Sequence, residues 1–147
     1  MSTYSFLDVN CSIIGPGGAI NLGQGAAVTD EGITIDPAED IDTLTIAADG
    51  TPMHSLHANK SGTITVRLLK TSPANQKLAQ LYAFQTASGV NHGQNTMSLT
   101  NNNTQDAVTC QQVAFKKAPP LTYGKEGVPV EWVFSAGRID RALGATT

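Results

Sequence analysis

The stretch KSGTITVRLLKTSPANQKLAQLYAFQTASG, from Lys60 to Gly89, carries the two clearest secondary-structure signals in this 147-residue chain. Ile64, Val66 and Leu68 occupy every second position and alternate with polar residues. Alternation of this kind places successive side chains on opposite faces of a β-strand, with the apolar ones turned inward. The first part of the stretch therefore predicts a strand with one buried face.

A helix is predicted directly after this strand, from about Pro73 to Ser88. The Ser72 hydroxyl can cap free backbone N–H groups, and proline suits the first helical turn. Apolar residues then recur at helical spacing, namely Ala74, Leu78, Leu81 and Tyr82. Because amphipathic helices of globular domains normally bury their apolar side, this face is expected to pack on a sheet, and use as a ligand groove is the less favoured alternative.

Short alternating or apolar segments elsewhere predict further strands, separated by turns rich in glycine, proline and asparagine. These segments are Tyr4–Asn10, Ala19–Leu22, Gly32–Asp36, Thr43–Ala48, Met53–Ala58, a short strand around Met97 and Leu99, Ala107–Phe115 and Val130–Ala136. Gly32–Asp36 and Thr43–Ala48 are expected to form a two-strand unit with an acidic connection. Val108 is expected on the face opposite Val113 and Phe115. The fold class is therefore mainly β with one helix.

The length fits a single domain that spans residues 1–147. In the tail from Arg138 to Thr147, Ile139 and Leu143 stand at helical spacing, which predicts a short docking helix or arm. The chain begins without a basic and then apolar leader, and it holds no apolar stretch of membrane-spanning length. Export by a signal peptide and membrane insertion are therefore not expected.

Charge is sparse and unevenly distributed along the chain. Only 14% of the residues are charged, below the roughly one quarter that is typical of soluble domains. Lys60 is the first basic residue, so that residues 1–59 carry a net charge of −8 and residues 60–147 carry +5. If the two parts present different surfaces, copies can stack acidic face onto basic face. The alternative is that the two parts interleave and their charges neutralise within one subunit.

The glycine, histidine and cysteine patterns indicate no cofactor or metal site. The glycine-rich segments lack the spacing of phosphate-binding loops. His54 and His57 are three residues apart, which on a strand would direct them to opposite faces and prevent joint metal ligation. The two cysteines form no Cys-x-x-Cys pair and are too few for a disulfide framework. No cofactor and no metal are therefore expected.

The carboxylates between Asp30 and Asp42 are the remaining candidates for catalysis. General acid–base work needs an enclosed pocket that separates the pKa values of its carboxyl groups. A dense cluster in a polar connection is more typical of ionised, exposed groups. Basic residues are also too sparse, and too rarely interleaved with aromatic ones, for a nucleic-acid grip. The expectation is a protein without enzymatic activity.

Three strings resemble a known family. They are GITIDPAEDIDTLTIAADG from Gly32 to Gly50, KSGTITVRLLKTSP from Lys60 to Pro73, and FKKAPPLTYGKEGVPVEWVFSAGRID from Phe115 to Asp140. Together with the opening YSFLDVN, they are similar to tail tube proteins of contractile-tailed bacteriophages over nearly the whole chain. The resemblance implies a β-sandwich or barrel with one flanking helix. It also implies six copies closing into a ring, and rings stacking into a hollow tube inside a contractile sheath.

The resemblance also implies partners and a location. The implied partners are further copies of this chain in hexameric rings, the sheath protein, the tape measure protein, and the baseplate and tail terminator proteins. DNA would pass through the tube during ejection without specific binding. The implied location is the tail of a virion, assembled in the cytoplasm of a bacterial host. A baseplate or neck component, or a secretion-system-like tube protein, is the alternative.

Two sets of residues are expected to form functional surfaces in such a tube. Negative charge at the lumen or its rim would repel phosphate, and this role is expected of Asp36, Glu39, Asp40 and Asp42. Contacts between rings are expected from the small-residue loop Gly23–Asp30, the amino-terminal strand and the carboxy-terminal arm around Arg138–Leu143. The candidate residues are Gly23, Gly25, Asp30, Arg138, Arg141 and Leu143. Removal of the residues after Gly137 is expected to leave a folded subunit that no longer polymerises. Because exposed ion pairs contribute only ~0–1 kcal/mol, apolar burial must supply most of the association energy.

Overall fold

The computed structural model describes residues 4–23, 28–102, 105–125 and 127–143, with the side chains of residues 6 and 28–31 outside this description. The described chain forms nine strands and one α-helix, preceded by a single 3-10 turn. These elements are the turn Phe6–Asp8, β1 Val9–Gly15, β2 Gly18–Asn21, β3 Val28–Pro37, β4 Asp42–Ile46, β5 Pro52–Leu56, β6 Gly62–Leu68, α1 Pro73–Thr86, β7 Asn95–Asn101, β8 Asp106–Lys117 and β9 Val130–Ala142.

Seven strands form one antiparallel sheet in the order β2-β1-β7-β8-β9-β6-β3, and β4 and β5 pair only with each other. The prediction of a mainly β fold with a single helix is confirmed. The expected two-strand unit is wrong, because Gly32–Asp36 lies in β3 and pairs with β6, whereas β4 pairs with β5. Alternation defines the faces of a strand but not its neighbour, and the tight turn between β4 and β5 favours the local pairing.

The strand and helix that the sequence indicated most clearly are both present. Ile64, Val66 and Leu68 are buried on the inner face of β6. Helix α1 begins at Pro73, and the Ser72 hydroxyl accepts a hydrogen bond from the N–H of Ala74 at 3.2 Å. The apolar stripe of the helix is buried through Ala74, Leu78 and Leu81. It therefore packs on the sheet, as expected.

An aromatic cluster lies between the helix and the centre of the sheet. The Phe115 ring lies 5.5 Å from that of Tyr82 on the helix, 5.9 Å from Trp132 and 4.9 Å from Phe134, measured between centroids. Edge-to-face and tilted arrangements of this kind add about 0.5–1.5 kcal/mol per pair beyond the area that the rings bury. Phe134 is completely buried, so this cluster is the centre of the core.

Two buried amide side chains connect the other end of the helix to the sheet. Gln85 donates from Nε2 to Asn95 Oδ1 at 2.7 Å and to the Pro16 carbonyl at 2.9 Å. Asn95 Nδ2 donates in return to Gln85 Oε1 at 2.6 Å. Both side chains have no solvent exposure. The helix, β7 and the β1–β2 turn are therefore joined by hydrogen bonds that are shielded from water.

The expected position of Val108 on the outer face is wrong. Strand β8 has one more residue than β7 between the pairs Met97↔Cys110 and Asn95↔Val113. Gln112 lies within this bulge and has a positive φ of 53°. A β-bulge reverses the alternation beyond it, so Val108 belongs to the same buried cluster as Val113.

The two ends of the chain also differ from the sequence-based expectation. The segment Tyr4–Asn10 contains a 3-10 turn, and its strand begins only at Val9. At the other end, the docking helix expected after Arg138 is wrong, because β9 continues to Ala142 and pairs with β8. Ile139 is buried in the core. Cutting the chain after Gly137 would remove this residue, so the truncated subunit is no longer expected to stay folded.

Candidate assembly surfaces

The hairpin of β4 and β5, residues 42–56, is held by a tight turn. The Gly50 N–H donates to the Ala47 carbonyl at 2.9 Å, and the Thr51 N–H donates to Asp49 Oδ1 at 3.0 Å. Gly50 has a φ of +89°, a left-handed conformation that glycine adopts without the penalty of a Cβ. Hydrogen bonds from the side chain and then the backbone N–H of Thr51 lower the pKa of the Asp49 carboxyl. Asp49 and Gly50 therefore define the turn between β4 and β5.

One face of this hairpin is rich in apolar residues and open to solvent. Leu44, Ile46 and Leu56 are 53%, 56% and 81% exposed, and the register places all three on the same face with Pro52. We call these four residues the apolar hairpin face. The same register puts Asp42 opposite Leu56 and His54 opposite Leu44, so this polar pair shares the face. A two-stranded hairpin is at best marginally stable in water, and a contiguous exposed apolar face marks an interaction site. The hairpin thus has a surface that its own subunit does not cover.

Polar contacts fix the base of the hairpin. His54 Nδ1 lies 2.9 Å from Asp42 Oδ2, and His57 Nε2 lies 2.6 Å from Thr43 Oγ1. The two histidines therefore have separate partners. The His57 N–H also donates to the Ile41 carbonyl at 2.8 Å, which extends the hairpin ladder by one pair.

A groove of about 920 Å³ lies where the hairpin joins the main sheet, lined by residues 37–41, 59–61 and 139–141. The strands are drawn together there by backbone hydrogen bonds from Ala38 to Ser61 and from Ile139 to Lys60. A Cβ on Gly62 would overlap the carbonyl oxygen of Asp36. Glycine at this position is therefore required for the close approach of β3 and β6.

The groove brings together residues from the two sets that the sequence indicated separately. Glu39 and Asp40 line it together with Arg141. Next to them, Arg138 Nε donates to Asp140 Oδ2 at 2.8 Å, and this hydrogen bond lowers the pKa of the Asp140 carboxyl. Acids and arginines that were assigned to the lumen and to ring contacts thus lie at the same end of the subunit.

The remaining candidates lie in different settings. Asp36 is exposed at the end of β3, and Leu143 is exposed after β9. Gly23 is buried, and a Cβ there would overlap the β1 backbone, so it serves packing within the subunit. Asp30 lies in β3 with its side chain undescribed, and Gly25 lies outside the described residues.

The acidic and basic residues, which are separated along the sequence, also lie mostly at opposite ends of the folded subunit. We call the half of the sheet around Gly62 and Ile139 the hairpin end, and the half around Leu68 and Val130 the loop end. The described acids of the hairpin end are Asp8, Asp36, Glu39, Asp40, Asp42, Asp49, Asp106 and Asp140, against Lys60, Arg138 and Arg141. The loop end has Arg67, Lys70, Lys116, Lys117 and Lys125 against Glu131, while Lys77 lies on the helix beside residues 17–20. The loop end stays positive even when the undescribed side chains of Asp30, Glu31 and Glu126 are all assigned to it.

The loop end has a second exposed apolar surface. A groove of about 410 Å³ lies between the start of α1 and residues 118–123, lined among others by Tyr82, Pro119 and Trp132. Leu121 and Tyr123 on its rim are 63% and 80% exposed. We call this surface the loop groove. The loop groove was not predicted from the sequence. Leu121 and Tyr123, two apolar residues that follow Pro119-Pro120 in a weakly charged chain, could have indicated it.

Lys70 holds the rim of the loop groove in place. Its Nζ lies 3.9 Å from the centroid of the Tyr123 ring and donates to the Thr122 carbonyl. On the groove wall, Trp132 Nε1 donates to Asn75 Oδ1 at 3.0 Å. These contacts give the surface a defined shape.

Chemistry that would indicate catalysis is scarce in the described part of the chain. No group of three or more histidine, cysteine or acidic residues that could hold a metal ion is found among the described residues. Both cysteines are buried and free, and burial raises the pKa of Cys11 to about 12 and that of Cys110 to about 11. Within the described ranges, no helix is long and apolar enough to cross a membrane.

Similar folds occur in solved structures of contractile injection systems. The sheath/tube terminator of the extracellular contractile injection system PVC, in the extended state, matches over 97% of this chain and 98% of its own, with a TM-score of 0.58 and 12% identity. The anti-feeding prophage cap, which is the AFP tube terminating cap, matches over 98% and 93%, with a TM-score of 0.54 and 12% identity. A chain of the PVC sheath–tube complex in the extended state matches over 96% and 92%, with a TM-score of 0.56 and 14% identity.

Identities this low establish a shared fold and no more. No curated protein matches the sequence significantly. The model of one protein family, described as the bacteriophage PhiTE tail tube protein, matches residues 1–144. That match covers nearly the whole chain and agrees with the resemblance of its three strand-and-turn strings. This chain therefore belongs to the bacteriophage PhiTE tail tube protein family, a family of structural proteins of the phage tail.

Proposed function

We propose that this chain is the repeating subunit of the inner tube of a contractile phage tail, with six copies in each ring and rings stacked end to end. The observation that carries the proposal is the exposed apolar face of the β4–β5 hairpin, which the described part of its own subunit does not cover. Burial of apolar surface is the main driving force of association, at about 25 cal/mol per Å². A second copy is the partner that a tube subunit always has within reach.

The lumen of this tube is proposed to be bordered by Asp36, Glu39, Asp40 and Asp42. All four lie at the hairpin end, where acids outnumber bases. Phosphates that pass a negative wall are repelled and do not adhere, which suits a conduit for DNA during ejection. Such a conduit works through shape and charge, and it needs no enzymatic step.

Contacts between rings are proposed for the exposed residues around the carboxy-terminal end of β9. Arg138, Arg141 and Leu143 are all exposed there. Asp30 and Gly25 remain proposed contacts on the strength of the sequence alone. Gly23 is the weakest member of the set, because it is packed against β1.

The further partners are proposed from the family. They are the contractile sheath around the tube, the terminator at its end, the tape measure protein within it and the baseplate below it. Two of the similar structures are a terminator and a terminating cap, and a third comes from a sheath–tube complex. The proposed location is the virion tail, after assembly in the bacterial cytoplasm.

A tube terminator is the second candidate function, favoured by the near-complete coverage of the terminator and cap folds. Electron microscopy of the purified protein separates the two. Tubes of repeating rings are the expected result, while single rings that bind only the end of a tube would support the terminator. Monomers at all concentrations would overturn both.

A density map of the tubes then tests the lumen. Residues 36–42 are expected at the inner wall or its rim. Placement of these acids on the outer surface would refute the electrostatic lining while leaving the tube itself intact.

A further inference from the structure

We propose that the apolar hairpin face of one copy docks on the loop groove of the next copy, an inference that rests on the proposed self-assembly. Both surfaces are apolar and exposed in the described subunit. The hairpin offers Leu44, Ile46 and Leu56, and the groove rim offers Leu121 and Tyr123. Docking would remove the exposed apolar side chains of both surfaces from water.

The two surfaces do not meet within one subunit, because both are exposed in the described chain. The hairpin comes after β3 and before β6 at the Gly62 end of the sheet, whereas the loop groove lies beside Val130 at the opposite end. Gly62 pairs with Ala136 and Leu68 pairs with Val130, so the two places are six residues apart along β9, a distance of roughly 20 Å at about 3.3 Å per residue. A hairpin that occupies the groove therefore comes from another copy.

Charge favours this pairing over hairpin-to-hairpin contact. Residues 32–59 contain five acids and no lysine or arginine. The loop groove lies beside Lys70 and comes after Lys116 and Lys117 in the chain, with Lys125 in the next turn. Opposite potentials guide the approach of two surfaces and set their orientation, while like charges oppose self-docking.

Docking of this kind is heterologous, because each copy uses a different surface toward each neighbour. A heterologous contact closes into a ring or continues without end, and it leaves one hairpin and one groove free at the ends of an open stack. The polarity of the subunit thereby becomes the polarity of the assembly.

A pair of cysteine variants tests the docking. Leu56→Cys and Leu121→Cys are prepared as separate chains, assembled together into tubes and oxidised. The native cysteines are buried, so the expected product is a disulfide-linked dimer of the two different variants. Val90→Cys, exposed in the loop after α1, replaces Leu121→Cys as the control and should give no dimer with Leu56→Cys.

The outcomes separate this inference from the proposed function. Tubes without the mixed dimer would overturn the docking alone, and so would a dimer formed by Leu56→Cys with itself. If the unmodified chain forms no tubes, the proposed function fails and the docking fails with it.

Carbodiimide cross-linking of unmodified tubes decides the matter if a cysteine variant does not assemble. This reagent joins carboxylates to lysine amines that are already in contact. Links from Asp42 or Asp49 to Lys70, Lys117 or Lys125 are expected by mass spectrometry. Links from these acids to Lys60 alone, which lies at the hairpin end of the same subunit, would contradict the docking.

Discussion

Strands β6 and β4 have the same alternating pattern but lie in opposite environments. In β6, Ile64, Val66 and Leu68 are completely or almost completely buried beneath helix α1 and its neighbours. In β4, Leu44 and Ile46 alternate with threonine in the same way, yet more than half of each side chain is exposed. Alternation thus marks a face that must be covered, without stating which chain covers it.

The difference lies in the element that comes next along the chain. Strand β6 leads into a capped helix that returns across the sheet and is joined to it by Gln85 and Asn95. Strand β4 leads through a tight turn into β5, whose own apolar residue Leu56 is on the same uncovered face. The apolar side chains of β6 are covered within the subunit, whereas those of β4 and β5 would be covered only on assembly. Substitutions in the two regions should therefore differ in their effect on the free energy of unfolding of the subunit, from large in the core to small in the hairpin.

Phe134→Ala is expected to have the largest effect. Phe134 is completely buried beside Phe115, and truncation of a buried phenylalanine lowers the free energy of unfolding by about 3–5 kcal/mol. Urea denaturation monitored by circular dichroism measures the loss. Phe84→Ala is the matched control, because Phe84 is half exposed, and it should cost about 1 kcal/mol. Equal losses from both variants would mean that the core is not where the structure places it.

Asn95→Ala is expected to cost about 1–3 kcal/mol, because Gln85 Oε1 would lose its donor and remain buried. Gln85→Ala and the double variant complete a double-mutant cycle, also measured by urea denaturation. The two residues share two hydrogen bonds, so a coupling energy of about 0.5–3 kcal/mol is expected. Additive losses would show that the amide pair does not act as a unit.

The sequence was sufficient for the elements whose signals are local. Ser72 and Pro73 define the helix start through capping and proline geometry, and Asp49-Gly50 defines the β4–β5 turn. The inner face of β6 is evident from its alternation. Each of these depends on residues within a few positions of one another, which is why single-sequence reasoning reaches them.

Non-local features were out of reach of the sequence. The bulge at Gln112 reverses the alternation of β8, and its residue carries no distinctive signature, so Val108 was assigned to the wrong face. The pairing of β3 with β6 crosses an entire hairpin. Ile139 and Leu143 fit helical spacing as well as the end of a strand, and only the pairing with β8 decides between the two.

The candidate surfaces were partly visible in the sequence. The acids of residues 36–42 and the arginines near the carboxy terminus were indicated by charge, but their proximity at the hairpin end required the topology. The apolar hairpin face was concealed because Leu44 and Ile46 have the pattern of core residues. Burial against another chain leaves the same pattern as burial within one.

Substitutions in the hairpin should have little effect on the stability of the subunit but should abolish assembly. A triple variant with threonine at positions 44, 46 and 56 keeps β-forming side chains while removing the apolar hairpin face. Because these side chains are exposed in the subunit, the free energy of unfolding should change by less than about 0.5 kcal/mol per site. Tube formation, measured by electron microscopy and sedimentation, should be lost.

Met53→Thr provides the control for this triple variant. Met53 is 59% exposed on the opposite face of the same hairpin, so its replacement should leave the tubes intact. Loss of tubes in both variants would indicate that the hairpin as a whole, and not its apolar face, is needed. Tubes in both would contradict a role for the hairpin in assembly.

Asp140→Asn is expected to have the smallest effect on the subunit. Asp140 accepts a hydrogen bond from Arg138 and lies 3.9 Å from Lys60 Nζ, at the exposed base of the hairpin. The hydrogen bond from Arg138 lowers the pKa of Asp140 in the folded state. A carboxyl with a lowered folded pKa stabilises the fold at pH values above its unfolded pKa of about 4, and this stabilisation is lost as the pH falls through the folded value.

Wild type and Asp140→Asn should therefore differ slightly in their urea midpoints at pH 7, and this difference should vanish in acid. Solvent screening keeps such exposed pairs weak. A midpoint shift at pH 7 as large as that of Asn95→Ala would mean that the hairpin base is a buried, integral part of the core. The core that is stable within one subunit would then extend beyond Ile41 into the hairpin, and a shorter part of the hairpin would depend on assembly.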